Sequence, residues 1–200
     1  MLCWIDGTSQ TFKHTNPMIS ITTVSRQSEL QQIHLLNQKN LKSNLSAIQQ
    51  QQEGFVTWSY STQLLQQMHQ LAPSIIAKEG DVVVGYALAT LREATVFHPE
   101  LDSFLKAVEN LQYKGIPLSQ HRFYCMGQIC VDKEYRGKGL LREMYNKHRE
   151  TYSSDFDFIL TDIATNNPRS LRAHFNVGFN SICQFKDVHG KWDVVVWDWS

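Results

Sequence analysis

The chain has 200 residues, 42% of them hydrophobic and 19% charged, with 19 Lys and Arg balancing 19 Asp and Glu at a formal net charge of zero. That length suits one domain with a sizeable core, and the balance argues against an extended nucleic-acid or anionic-membrane surface. No apolar run approaches the roughly 20 residues that cross a bilayer. The N-terminus lacks the basic-then-apolar order of a secretory leader, so a cytoplasmic protein is expected.

Residues 1–17 show no periodicity and end at Asn16-Pro17, which reads as a loosely held extension ahead of a single domain over 18–200. Ile19 to Val24 reads as a first strand. Ser25 or Ser28 can cap the next helix, whose stripe of Leu30, Ile33, Leu36, Leu41, Leu45 and Ile48 breaks near Lys39–Ser43. A loop follows with Phe55, Trp58 and Tyr60, and then a short helix carrying Leu64, Leu65, Met68 and Leu71, which Pro73 ends. Residues 74–78 and 82–91 form a hairpin about Glu79-Gly80-Asp81. His98-Pro99 opens a helix expected to end near Gly115.

Next comes an aliphatic strand from Phe123 to Val131 and an amphipathic helix with Leu140, Leu141, Met144, Tyr145 and His148 on one face. A strand over 157–164, a helix over 169–176 stopped at Gly178, and strands over 182–185 and 192–197 complete the chain. This order is mixed α/β, with a βαβ unit in the middle that implies a locally parallel pair. The tryptophans of the last strand (Trp192, Trp197, Trp199) would leave apolar area exposed on a sheet edge, which suggests a homodimer contact.

Cys3, Cys125, Cys130 and Cys183 form no C-x-x-C and no zinc spacing, so free thiols and no metal are expected. Cys125 and Cys130, five apart on one strand, are expected on opposite faces.

The chemistry concentrates where the central strand meets its helix. Gly137 and Gly139 lie among Arg136 and Lys138, and six Lys or Arg fall between Lys133 and Arg149. Glycines let backbone N–H groups approach an anion, and a helix N-terminus adds unpaired donors and a positive dipole end. This is neither a P-loop, since Leu140 follows Lys138-Gly139, nor a dinucleotide fingerprint, which needs three glycines.

What remains, Arg136-x-x-Gly139-x-Leu141, resembles the Q/R-x-x-G-x-G/A signature of the GNAT superfamily of acyl-CoA-dependent N-acyltransferases, with Leu141 in place of Gly or Ala. A second stretch, Asn167 to Phe179, resembles that family's Asn followed by a helix ending Tyr-x-x-x-Gly-Phe, with His174 at the tyrosine position.

The resemblance implies a mixed, mostly antiparallel sheet with a splayed parallel pair, flanked by helices, and acetyl-CoA as acyl donor. It places the pyrophosphate on the backbone of Gly137, Lys138, Gly139, Leu140 and Leu141 with the Arg136 and Lys138 side chains. Ile129, Cys130 and Val131 would lie beside the pantetheine, and Asn167 would contact the cofactor from the other side. The implied reaction is direct attack of a primary amine in a ternary complex. His174 would protonate the departing thiolate, and Trp58 and Tyr60 would line the acceptor pocket.

An attacking amine must lose a proton. Many relatives place a Glu on the central strand, where this chain offers Gln128, so the base stays open among His121, Asp162, His174 and water. The alternative is a CoA-binding sensor or partner module without catalysis, favoured by the missing Glu and Tyr. The acceptor, a small-molecule or peptide amine, is not specified by the sequence.

Overall fold

The computed structural model describes residues 18–200, so the extension expected over 1–17 lies outside the described residues. Among the described residues nine strands and six α-helices follow one another: β1 (Ile19–Thr23), α1 (Gln27–Asn40), α2 (Ala47–Glu53), α3 (Thr62–Leu71), β2 (Ile75–Glu79), β3 (Val82–Thr90), α4 (Pro99–Val108), β4 (Gln112–Tyr113), β5 (Ile116–Pro117), β6 (Phe123–Val131), α5 (Leu140–Tyr152), β7 (Phe158–Ala164), α6 (Pro168–Val177), β8 (Asn180–Lys186) and β9 (Lys191–Asp198). Seven strands form one sheet in the order β1-β2-β3-β6-β7-β9-β8, while β4 and β5 make a separate small hairpin.

Among the described strands only β6 and β7 pair in parallel, as the intervening helix requires, and their pairing lasts for three residues before the strands part. The last pair is Cys125 with Leu160. Beyond it β6 stays with β3 and β7 stays with β9, which opens a wedge between the two halves of the sheet. The sheet is thus mixed and mostly antiparallel with a splayed parallel pair, as the resemblance implied.

Helices cover both faces because both carry apolar side chains. Leu140, Met144, Tyr145 and Tyr152 of α5 pack on one face against Ala87, Tyr124, Ile159 and Val195. On the other, Leu30, Ile33 and Leu36 of α1 and Leu65 and Met68 of α3 bury Tyr86 and Leu88. Leu101, Leu105 and Val108 of α4 cover Phe123, Phe158 and Leu160.

Three expectations are corrected. α4 ends at Val108 rather than near Gly115, because Lys114 and Gly115 adopt positive φ (50° and 86°) and turn the β4–β5 hairpin. β9 is not an edge: it lies between β7 and β8 with Trp192 and Trp197 buried, which removes the basis for a dimer contact there. Cys125 and Cys130 share a face. They pair with Thr90 and Tyr86, four residues apart on β3, because β6 carries one extra residue opposite Leu88.

Candidate functional site

That extra residue, a β-bulge at Gly127-Gln128, sits where β6 and β7 part, and cavities open on both sides of it. The first, of about 400 Å³, lies between the N-terminus of α5 and the start of α6. Its rim is the turn from Arg136 to Leu141. Gly137 and Gly139 hold φ of 78° and 82°, and no atom lies within 4 Å of where a Cβ would stand on either. The turn therefore needs glycine for its backbone angles, and the space left open faces the first N–H groups of α5, which have no partner within the helix.

Ile129, Cys130, Val131, Arg136, Gly137, Gly139, Leu140, Leu141, Asn167 and His174 all line this cavity. Lys138 does not; its ammonium lies 4.6 Å from the Tyr135 ring centroid. Two other predicted ligands are occupied within the protein. The Arg136 guanidinium donates to Val131 O (2.9 Å), Glu53 O (3.1 Å) and Asn40 Oδ1 (2.6 Å). The Asn167 amide donates to Phe55 O (3.1 Å) and accepts from Ser170 N (3.2 Å). Both side chains shape the cavity wall, and the backbone supplies the unpaired donors.

The end of α2 straps across the opening. Gln52 O accepts from Arg169 Nη1 at 2.9 Å, and Glu53 Oε1 accepts from Lys133 Nζ at 2.7 Å. Gly54 follows at φ 74°, and a Cβ there would meet Asn167 Oδ1 at 3.1 Å. Sequence reasoning passed over this strap, because nothing local ties α2 to the loops before α5 and α6.

The second cavity, of about 670 Å³, lies on the other side of the bulge between α4, the 57–60 loop and the β8–β9 turn. Trp58, Tyr60, Phe104, Phe185 and Trp192 line it, with Thr90, Cys125, Gly127 and Asp162 on the sheet. The loop bearing Trp58 and Tyr60 is fixed by Asn37. Its amide nitrogen donates to Trp58 O (2.9 Å) and to Gln128 Oε1 (2.6 Å), and its oxygen accepts from Tyr60 N (3.1 Å). Gln128 also accepts from Tyr86 OH at 2.6 Å and donates to Trp58 O at 3.1 Å. Position 128 thus locks the loop to the bulge.

A narrow space of about 70 Å³ joins the two cavities through the wedge. It shares Ile129, Asn167 and His174 with the first and Trp58, Gly127 and Asp162 with the second. Asp162 and His174 are therefore the two ionisable side chains that face the junction. Burial pushes the Asp162 carboxyl up to about 7, and the Asp187 carboxylate reinforces the shift. Burial pushes His174 down to about 4. The ring is neutral at pH 7, with Nδ1–H donating to Ser170 O at 2.8 Å and Nε2 left as a proton acceptor. His121 lies elsewhere, its Nε2 against Tyr113 O at 2.9 Å. Burial also holds the Cys125 and Cys130 thiols far above their usual range, so neither is a ready nucleophile.

A sheet forced open at a bulge, a glycine-turned helix N-terminus on one side and an aromatic cavity with a titratable carboxyl on the other define an acyl-transfer scaffold of the acyl-CoA type. The acetyltransferase (GNAT) family profile matches residues 45–179, and the chain belongs to that family. None of the curated protein sequences matches it. Solved structures share its fold at low identity. The ribosomal-protein-S18-alanine N-acetyltransferase of Escherichia coli is 12% identical with a TM-score of 0.58, covering 92% of this chain and 95% of that one. A Salmonella typhimurium protein solved with its cofactor acetyl-CoA is 16% identical at a TM-score of 0.60, covering 91% and 94%. Naa50 of Arabidopsis thaliana, solved with a CoA–peptide bisubstrate analogue, is 16% identical at 0.58, covering 90% and 98%. Among the described residues no helix is long and apolar enough to cross a membrane.

Proposed function

We propose that this protein transfers the acetyl group of acetyl-CoA to a primary amine by direct attack in a ternary complex, with Asp162 as the general base. The observation that carries the reading is the passage through the β6–β7 wedge. It joins a cavity at the α5 N-terminus to an aromatic cavity, with Asp162 at the meeting point. The first cavity suits CoA by its chemistry: backbone donors at a positive helix end for the pyrophosphate, and the free edge of β6 for the pantetheine amides. Acetyl-CoA supplies the activated acyl group.

The chain's own residues manage the protons. The Asp162 carboxylate takes one from the incoming ammonium, for which a pKa near the working pH is suited. In this reading His174 Nε2 receives a proton from the amine nitrogen and passes it to the departing sulfur. It enters the cycle neutral, so it relays that proton rather than bringing one. Gln128 has no part in proton transfer, its amide being used in the loop lock.

Release of CoA thiol from acetyl-CoA, followed over a panel of primary amines, tests the reading. Amine-dependent release that Asp162→Asn abolishes supports it. Tight acetyl-CoA binding without turnover on any amine would favour a sensor module instead.

A further inference from the structure

We propose that Thr161 sets the acyl-length limit of the donor: its hydroxyl pins β7 to β6, so that the wedge between them takes an acetyl group and turns longer chains away. The inference rests on the acetyltransferase reading above and adds a specificity-determining residue to that site. In that reading CoA lies in the first cavity and the amine arrives through the second. The thioester carbonyl then stands in the narrow space that joins them.

One side chain fixes the width of that space at its closed end. The last backbone pair between the parallel strands is Cys125 with Leu160. One residue further along each strand, Thr161 Oγ1 donates to Met126 O at 3.0 Å, and both residues are buried. This side-chain bond takes over where the ladder stops and holds the strands near the paired spacing of about 4.8 Å. Each strand is also anchored on its outer side. Met126 and Cys125 of β6 pair with Ala89 and Thr90 of β3, and β7 pairs along its whole length with β9. Met126 and Thr161 both line the narrow space, so its closed end cannot yield without breaking the bond between them.

The space is also short. Its 70 Å³ holds about five to seven water-sized groups at about 10–15 Å³ each. The sulfur, the carbonyl carbon and oxygen, the methyl group and the attacking nitrogen already take five of these places. A butyryl chain adds two methylenes. It must either spread two anchored strands, which overpacking makes costly, or turn into the second cavity along the path of the amine.

Replacing the hydroxyl tests the pin. In Thr161→Val a methyl group faces Met126 O, a contact that needs about 3.3–3.6 Å in place of the 3.0 Å of the hydroxyl, so the strands separate. Thr161→Ser keeps the hydroxyl and the bond. Calorimetric titration with acetyl-CoA, butyryl-CoA and CoA reads the limit as a ratio of dissociation constants. The parent should bind acetyl-CoA at least about 10-fold more tightly than butyryl-CoA. Thr161→Val should bring that ratio below about 3, and Thr161→Ser should keep it. Thr161→Ala removes the hydroxyl without the new methyl contact, and the same loss is expected there should the valine variant not fold. A parent ratio near one, a ratio unchanged without the hydroxyl, or a ratio lost equally in Thr161→Ser would overturn the inference. Equal affinities together with amine-dependent release of CoA overturn it and leave the acetyltransferase reading standing. The predicted ratios without release on any amine uphold the acyl limit and remove the transfer reading. Failure to bind any of the three ligands removes both.

Discussion

Replacing Asp162 with asparagine separates the catalytic account from a purely structural one. The carboxyl is held at about 7 against 3.8 for an ordinary aspartate, so the folded protein retains a proton there that the unfolded chain has released. The ionised form is thus disfavoured by folding. This contribution is absent below about pH 4, grows as pH rises toward 7, and then levels off. Three pH units correspond to about 4 kcal/mol, and half-burial of the side chain reduces that to about 1–3 kcal/mol. Asp162→Asn should therefore be more stable than the parent at pH 8, by urea midpoint, and nearly equal to it at pH 4. Activity should move the other way. Loss of a general base costs about 10²–10⁴-fold, and the parent's kcat/KM for an amine should rise through pH 7, a limb missing in the variant. An amine of lower pKa fixes the assignment, because the limb belongs to the free enzyme and must not move with the amine. A limb that follows the amine's pKa, or a variant with parental kcat/KM, would refute the role of Asp162.

Other perturbations probe the parts around it. Gly127→Ala forces a Cβ to within 2.3 Å of Thr90 Oγ1 and 3.1 Å of Tyr60 OH. It should cost about 1–3 kcal/mol by chemical denaturation and raise KM for amines while acetyl-CoA binding persists. Asn37→Ala leaves Tyr60 N without its partner and removes one of the two donors to Gln128 Oε1, the Tyr86 hydroxyl remaining, which should cost about 1–3 kcal/mol and weaken amine binding. Acid should unfold the protein readily. Burial pushes His148 down to about 3 and His174 to about 4. Unfolding therefore takes up protons below the ordinary imidazole pKa of 6.5, and stability should fall steadily from pH 6.5 toward pH 4. Urea midpoints at pH 7, 5.5 and 4.5 check this, and a flat series would contradict the burial of these rings.

The sequence disclosed what is local. A strand, two glycines at the right spacing and an amphipathic helix are contiguous, so the turn from Arg136 to Leu141 is legible in the order of residues alone. The Asn167 to Phe179 helix is equally local, down to its stop at Gly178. What stayed hidden depends on pairing across the chain. The bulge at Gly127-Gln128 exists because β6 must follow β3 while leaving β7. It reverses the face on which Cys130 falls, and no periodicity announces it. Arg136 reads as an anion ligand until Glu53 and Asn40 arrive from distant segments to occupy it. Asp162 is an ordinary strand residue in the sequence, and it becomes notable only once the sheet sets it at the meeting of two cavities.

Calorimetric titration with acetyl-CoA and with CoA, on the parent and on Gly139→Trp, addresses the central claim most directly. Gly139 sits at φ 82° with open space before it, so an indole there fills the space in front of the α5 N-terminus. Saturable one-to-one binding by the parent, lost in the variant, is the predicted result. A parent that shows no binding at millimolar ligand, or a variant that binds as well as the parent, would contradict the assignment of the first cavity.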